Sequence, residues 1–171
     1  MQNHFDLFGL SPGFSLEKDV LEKAYRDIQS RVHPDRFASA GDAERRASLQ
    51  WTTRVNEAYR TLKDPVQRAK HILDLHGVDV AFETDTAMPV EFLTQQLELR
   101  ESLEAAVDEK DAVALDGLRK ILFEQRTALQ EEIQNLIDNR KDYQGAAGLV
   151  RKLMFLQRLD EEVDSAYGEI E

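Results

Sequence analysis

The side chains in this chain best suited to site chemistry are its four histidines, and one of them stands in a distinctive triplet, His33-Pro34-Asp35. Average amino-acid usage would give that triplet in roughly one chain of this length in a hundred. His33 has no evident nucleophile to activate, so the triplet does not read as catalytic. Taken alone it can also be an ordinary turn, held by its proline and an Asx-type side chain. His4, His71 and His76 form no HExxH pattern, and the five-residue step from His71 to His76 does not put both on one helical face. Metal ligation is therefore not expected. Neither GxxxxGK(S/T) nor GxGxxG occurs, which argues against nucleotide binding by either fingerprint. With no cysteine, disulfides, thiol catalysis, Cys-ligated zinc and an iron–sulfur cluster held by the chain's own thiolates are excluded. No enzyme and no cofactor are expected.

The elements that must position the triplet read as helices. Leu16, Val20, Leu21, Ala24, Ile28 and Val32 fall on one arc, with Ser15 as the N-cap and Glu17 and Asp19 near the positive end. This helix should end near His33, because Pro34 disfavours helical geometry in the residue before it, and residues 34 to 41 then read as a loop. A second stripe, Ala43, Ala47, Trp51, Val55, Tyr59 and Leu62, can pack antiparallel against the first helix, which makes Trp51 a core residue. Asp64-Pro65 stops that helix and caps a shorter one carrying Ala69, Ile72 and Leu73, with Gly77 at C′. A segment around Phe5, Leu7, Phe8 and Leu10 should cover the hairpin's open side. Asp19, Lys23, Arg26 and Ser30 lie opposite the apolar arc, so Lys23 and Arg26, with Arg36 beyond the turn, can form a basic patch beside Asp35. Such residues can equally be a solvated helix face.

Of 171 residues, 22 are Lys or Arg and 33 are Asp or Glu, a formal charge of −11, which argues against a binder of nucleic-acid phosphates. The charge is uneven. Residues 1–76 hold 12 basic and 11 acidic side chains, while 77–171 hold 10 and 22. With Gly77 and the polar stretch Glu83 to Thr86 before Pro89, this shift places a linker at 77–88 between domains spanning 1–76 and 89–171. No apolar run approaches the roughly 20 residues of a membrane span, and the start MQNHFDLFGL lacks the features of a signal peptide, so a cytoplasmic chain is expected.

The second half reads as three antiparallel helices, one starting at Pro89, one from about Val113 to Ile137, and one from about Tyr143. Leu118, Ile121, Leu122, Leu129, Ile133 and Leu136 form the buried stripe of the middle helix. Leu149, Leu153, Leu156, Val163 and Tyr167 form that of the last, with Asp160 as the one break. On the first of the three, Phe92, Leu99, Leu103, Ala106 and Val107 share a face, while Leu93 and Leu97 lie about 100° to 140° round from Phe92. Thr94, Glu98 and Glu101 border them, and Phe155 lies off its own helix's stripe. A helix that meets two neighbours needs a wide apolar arc, so these residues can be core or an exposed patch with an acidic rim. The whole chain is expected to be all-α, a helical hairpin followed by a three-helix bundle.

Three stretches, Phe5-Asp6-Leu7-Phe8-Gly9-Leu10, His33-Pro34-Asp35-Arg36-Phe37 and Val55 to Leu62 with Asp64-Pro65, resemble the J-domain of co-chaperones that drive the DnaK class of ATP-hydrolysing chaperones. That resemblance implies a chaperone-binding role for His33, Pro34, Asp35, Lys23, Arg26 and Arg36. Asp35 would accept charge-assisted hydrogen bonds from an arginine of the partner, and the basic residues would steer toward an acidic surface. General J-proteins continue into a Gly/Phe-rich segment, whereas this chain enters an acidic helical domain. It is similar nearly end to end to the HscB family, dedicated to iron–sulfur cluster assembly, through His71 to Gly77, Phe92 to Glu101 and Val150 to Leu156. The resemblance implies an HscA-type chaperone and the scaffold IscU as partners, with Leu93, Thr94, Leu97, Glu98, Glu101 and Phe155 contacting the scaffold. Thr94 and Ala105 depart from the bulkier apolar and acidic residues of the family pattern. A J-protein with another client, or a helical scaffolding protein with a structural turn, are the rival readings.

Overall fold

The computed structural model describes residues 3–80 and 88–171, and no strand occurs among them. The chain divides into two compact units, Met1–Gly77 and Val78–Glu171. Of the expected linker, residues 81–87, including Glu83 to Thr86, lie outside the described part.

The first unit contains α1 (His4–Leu7), α2 (Lys18–Val32), α3 (Asp42–Lys63) and α4 (Pro65–Leu75). Its core is built from Phe5, Phe14, Leu21, Val55, Ala58, Leu62, Ile72 and Leu73. The Asp64 carboxylate accepts the Val66 N–H at 2.8 Å, Pro65 takes the first helical position, and Gly77 at φ +72° ends α4 in the left-handed conformation. Arg68 is buried. Its Nε donates to the Phe14 carbonyl at 2.8 Å and one terminal nitrogen to the Leu62 carbonyl at 2.7 Å, while the guanidinium lies over the Phe14 ring. One side chain thus ties the segment before α2 to the α3–α4 corner.

Three sequence expectations fail here. Ser15 is not the N-cap of α2, which starts at Lys18 with Glu17 in the cap position and no side-chain cap bond; the extended Glu17 backbone carries the chain away from buried Phe14. Val20 is exposed while Leu21 is buried, because one residue swings about 100° and α2 offers α3 only a narrow face. On α3 the inferred stripe is wrong at its start. Ala43 and Ala47 are exposed and Trp51 is 43% exposed, and the buried residues are Ser48, Val55, Ala58 and Leu62. Each four-residue step overshoots a helical turn by about 40°, so 43, 47, 51 and 55 wind around the helix instead of sharing a face.

The second unit is an up-down-up bundle of α5 (Val90–Asp108), α6 (Ala112–Gln134) and α7 (Tyr143–Ile170). Both turns use the same device. Lys110 and Lys141 adopt left-handed φ of 52° and 56°, and each precedes an aspartate that caps the next helix, Asp111 to the Ala114 N–H at 3.0 Å and Asp142 to the Gly145 N–H at 2.9 Å. The core joins Leu103 and Ala106 of α5, Leu115, Leu118 and Leu122 of α6, and Leu156, Leu159, Val163 and Ala166 of α7. Asp160, the break in the α7 stripe, accepts a hydrogen bond from Arg126 of α6 at 2.5 Å. Ile121 was expected inside but is exposed, since Leu118, Leu122 and the unforeseen Leu115 take the inward arc. A π-helical turn at Asn135–Asn139 ends the middle helix and buries Ile137. The all-α reading, hairpin plus bundle, holds.

Candidate functional site

The triplet sits at the tip of the α2–α3 hairpin, and the local sequence dictates its shape. Pro34 has no N–H to continue α2 and forces His33 out of the helix, to φ −57° and ψ 134°. Pro34–Phe37 then form a single 3-10 turn, with the Arg36 N–H donating to the His33 carbonyl at 3.0 Å, where a plain loop was expected. The His33 Nδ1 accepts the Asp35 N–H at 3.2 Å and lies 3.5 Å from an Asp35 carboxylate oxygen. Asp35 has a side chain 93% exposed, so the His33 ring fixes its backbone N–H while its carboxylate is offered to solvent.

Lys23 and Arg26 are exposed on α2, and Arg36 is exposed past the tip. Arg36 reaches back to donate to the Ser30 carbonyl of the last turn of α2 at 3.2 Å. Behind the same helix end, on α3, the Ser48 hydroxyl donates to the Val32 carbonyl at 2.5 Å, and that of Thr52 lies 3.2 Å from it. Pattern reading missed both hydroxyls, because a search for apolar periodicity passes over a buried serine. Tyr25 of α2 stacks on Tyr59 of α3 at 4.1 Å between centroids and donates to Asn56 at 2.6 Å, fixing the hairpin further back.

A second histidine cluster lies away from the tip. The His71 Nε2 accepts the His4 backbone N–H at 3.0 Å, and the two rings stack 4.3 Å apart. Burial, and next the neighbouring His4, push the His71 pKa down to about 4; burial lowers that of His4 too, against the pull of Glu57. Among the described residues no group of three or more His, Cys, Asp or Glu side chains could hold a metal ion.

On α5, Leu93 is 43% and Leu97 58% exposed, with Thr94, Glu98 and Glu101 exposed beside them. The Thr94 hydroxyl is turned back onto the Val90 carbonyl at 2.9 Å and is spent on its own helix. Phe155 of α7 is half-buried, its ring edge-on to Phe92 at 6.0 Å, and Lys152 lies over Phe92. Phe155 is therefore partly committed to packing between α5 and α7. Gln96, one turn from both Leu93 and Leu99, is 6% exposed, and its amide has no hydrogen-bond partner at either atom. Nothing in the apolar pattern of α5 marks Gln96 as buried.

The two units find a match in known proteins. A DnaJ domain model matches residues 3–71, and a model described as the HSCB C-terminal oligomerisation domain matches residues 88–164. A co-chaperone protein HscB homolog from Burkholderia mallei (strain SAVP1) is 48% identical over 169 residues, covering 99% of this chain and 96% of that one. The chain belongs to the HscB co-chaperone family. Chaperone HscB from Vibrio cholerae superposes with a TM-score of 0.86 at 32% identity over 99% of this chain and all of that one. Human co-chaperone HscB does so at 0.90 and 25% identity, over 96% of this chain and 81% of that one. HscB membership makes the first unit a J-domain and the molecule a member of a co-chaperone family. No described helix is long and apolar enough to cross a membrane.

Proposed function

We propose that this HscB-family chain stimulates ATP hydrolysis by a DnaK/HscA-type chaperone in the cytoplasm and delivers to it an IscU-type iron–sulfur scaffold. The observation that carries the reading is the tip: an outward aspartate carboxylate on a turn shaped by Pro34 and by the His33 ring. A carboxylate so presented can take paired donors from a partner arginine without rearranging first, which is where charge-assisted bonds are strongest. Arg36 next to it in the turn, and Lys23 and Arg26 further back on α2, offer positive charge to an acidic docking surface.

The scaffold is held on the α5–α7 patch of Leu93, Thr94, Leu97, Glu98, Glu101 and Phe155. Fully burying a leucine or phenylalanine contributes roughly 1.5 to 3 kcal/mol, and these side chains are already partly covered, so each adds the lower end of that range. Micromolar binding needs about 8 kcal/mol net, so three such anchors supply only part of it and the polar rim must supply the rest, which suits a complex that can be released to the chaperone. The carboxylates of Glu98 and Glu101 favour a partner with a basic edge.

The test is steady-state ATPase activity of a purified HscA-type chaperone with increasing co-chaperone. The native chain is expected to stimulate strongly. His33→Gln, whose Gln cannot reproduce the ring's support of the Asp35 N–H, is expected to lose about 30-fold, as for a contact worth about 2 kcal/mol, with an unchanged circular dichroism melt. Equal stimulation by both proteins would refute the role of the tip.

A further inference from the structure

We propose that Ser48 and Thr52 are positioning residues for the His33-Pro34-Asp35 tip, acting through the Val32 carbonyl; the inference rests on the tip being the chaperone contact. The last four carbonyls of any α-helix lack intrahelical partners and need donors from elsewhere. In α2 the need is acute, because Pro34 removes the next N–H in line and His33 has already left the helix. Two of those carbonyls are held by side chains. Arg36 of the tip donates to Ser30, at 3.2 Å, and α3 supplies hydroxyls to Val32, Ser48 at 2.5 Å and Thr52 at 3.2 Å.

A carbonyl oxygen has two lone pairs, so Val32 can take both. The Thr52 hydroxyl is also 2.9 Å from the Ser48 carbonyl, so its single proton is shared between two acceptors and Ser48 is the firmer donor. Ser48 is 4% exposed between two exposed neighbours, Ala47 and Leu49. A buried hydroxyl at that point has a specific acceptor, and the acceptor is the peptide group that leads into His33. The leucine that fixes α2 in the core, Leu21, is eleven residues back, about 16 Å along the axis at 1.5 Å per residue. Beyond the Tyr25–Tyr59 stack the packing thins, with Ile28 and Val32 only half-buried, and these hydroxyls complete the hold on the last turn of α2. Without them the last turn frays, and the tip keeps its sequence but loses its aim.

The experiment compares Ser48→Ala with Thr52→Val against the native chain. Two readouts are used, chaperone ATPase titration and backbone 15N order parameters at Asp35 and Arg36. In the double variant maximal stimulation is expected to fall about fivefold, while the half-saturating concentration stays within about twofold because Lys23 and Arg26 still steer docking. The order parameters should drop below about 0.6. Ser48→Thr, which keeps the hydroxyl, should restore both. Retained maximal stimulation with rigid tip amides overturns the proposal, as does equal loss in Ser48→Thr. Should the double variant not fold, Ser48→Ala alone decides: a two- to threefold loss of maximal stimulation supports the assignment and no loss overturns it. If the native chain fails to stimulate at all, the chaperone role falls by itself, and the order parameters still decide whether the hydroxyls hold the tip.

Discussion

In the first unit the residues proposed to meet a partner are set by backbone: a proline that ends a helix, a single 3-10 turn, and helix-end carbonyls tied by Arg36, Ser48 and Thr52. In the second they are side chains on the outer face of a regular helix, with Leu93 and Leu97 outward and Gln96 and Phe92 inward on the same two turns. The difference has consequences for how each site fails. A tip built from a turn carries its own side chains outward and buries none of them, so a change in Asp35 removes function and leaves stability alone. A helix face is continuous with the core beneath it, so changes there are graded, and some alter packing as well. Phe155 shows this, since its ring is half-buried and packs edge-on against Phe92.

The sharpest way to break that contrast is Asp35→Asn. The substitution removes one charge from a side chain 93% exposed, so the thermal midpoint should move by no more than about 1 °C, while chaperone stimulation falls about 30-fold or more. ATPase titration beside a thermal melt checks it, and a large loss of stability would mean that the carboxylate is structural. The matching experiment on the second unit is Leu93→Ala with Leu97→Ala. These two are preferred to Phe155 because they are exposed and their truncation leaves the core intact. Isothermal titration with an IscU-type scaffold should show affinity weakened about tenfold per leucine at most, and ATPase stimulation without scaffold should not change. Loss of both activities together would erase the division between the units.

How much of this was legible in the sequence follows from the range of the forces involved. The tip was readable because Pro34 acts on its immediate neighbours, and Asp64-Pro65 and Gly77 were readable for the same reason. The bundle helices were found at their ends to within a few residues, because long apolar periodicity outweighs local noise. The α3 stripe was misread because four-residue steps drift, and the error made Trp51 a core residue. Ser48, Thr52 and Gln96 were invisible to a reading that scores only apolar positions. The His4–His71 contact joins residues 67 apart, and no local pattern carries such a pairing.

That pairing sharpens the comparison by pH. All four histidines lie in the first unit. Burial and the neighbouring His4 hold the His71 pKa at about 4, against 6.5 for an unperturbed ring. Between those values the unfolded chain binds the proton and the folded chain does not. The stabilising contribution of the neutral ring is therefore complete above pH 6.5 and is lost as pH falls toward 4. Trp51, the single tryptophan, reports on this unit alone. Its fluorescence melt should shift down by several degrees from pH 7.5 to 4.5, and by less in His71→Gln, whose amide oxygen can take the place of Nε2 as acceptor for the His4 N–H but cannot titrate. An identical shift in both proteins would assign the acid sensitivity to carboxylates instead.

The smallest effect expected is on the basic face of α2, and it separates geometry from charge within the first unit. Lys23 and Arg26 are exposed and sit well before the turn, so they attract a partner through solvent without defining the contact. Changing both to alanine should raise the half-saturating co-chaperone concentration about two- to fivefold at low salt and leave maximal stimulation where it was. Salt supplies the control, since the Debye length shrinks from about 10 Å at 0.1 M to about 3 Å at 1 M. Native and variant titrations should converge as salt is raised. If the variant instead lost maximal stimulation at every salt concentration, these side chains would belong to the fixed geometry of the tip, and the boundary between aiming and attracting would have to be drawn further back along α2.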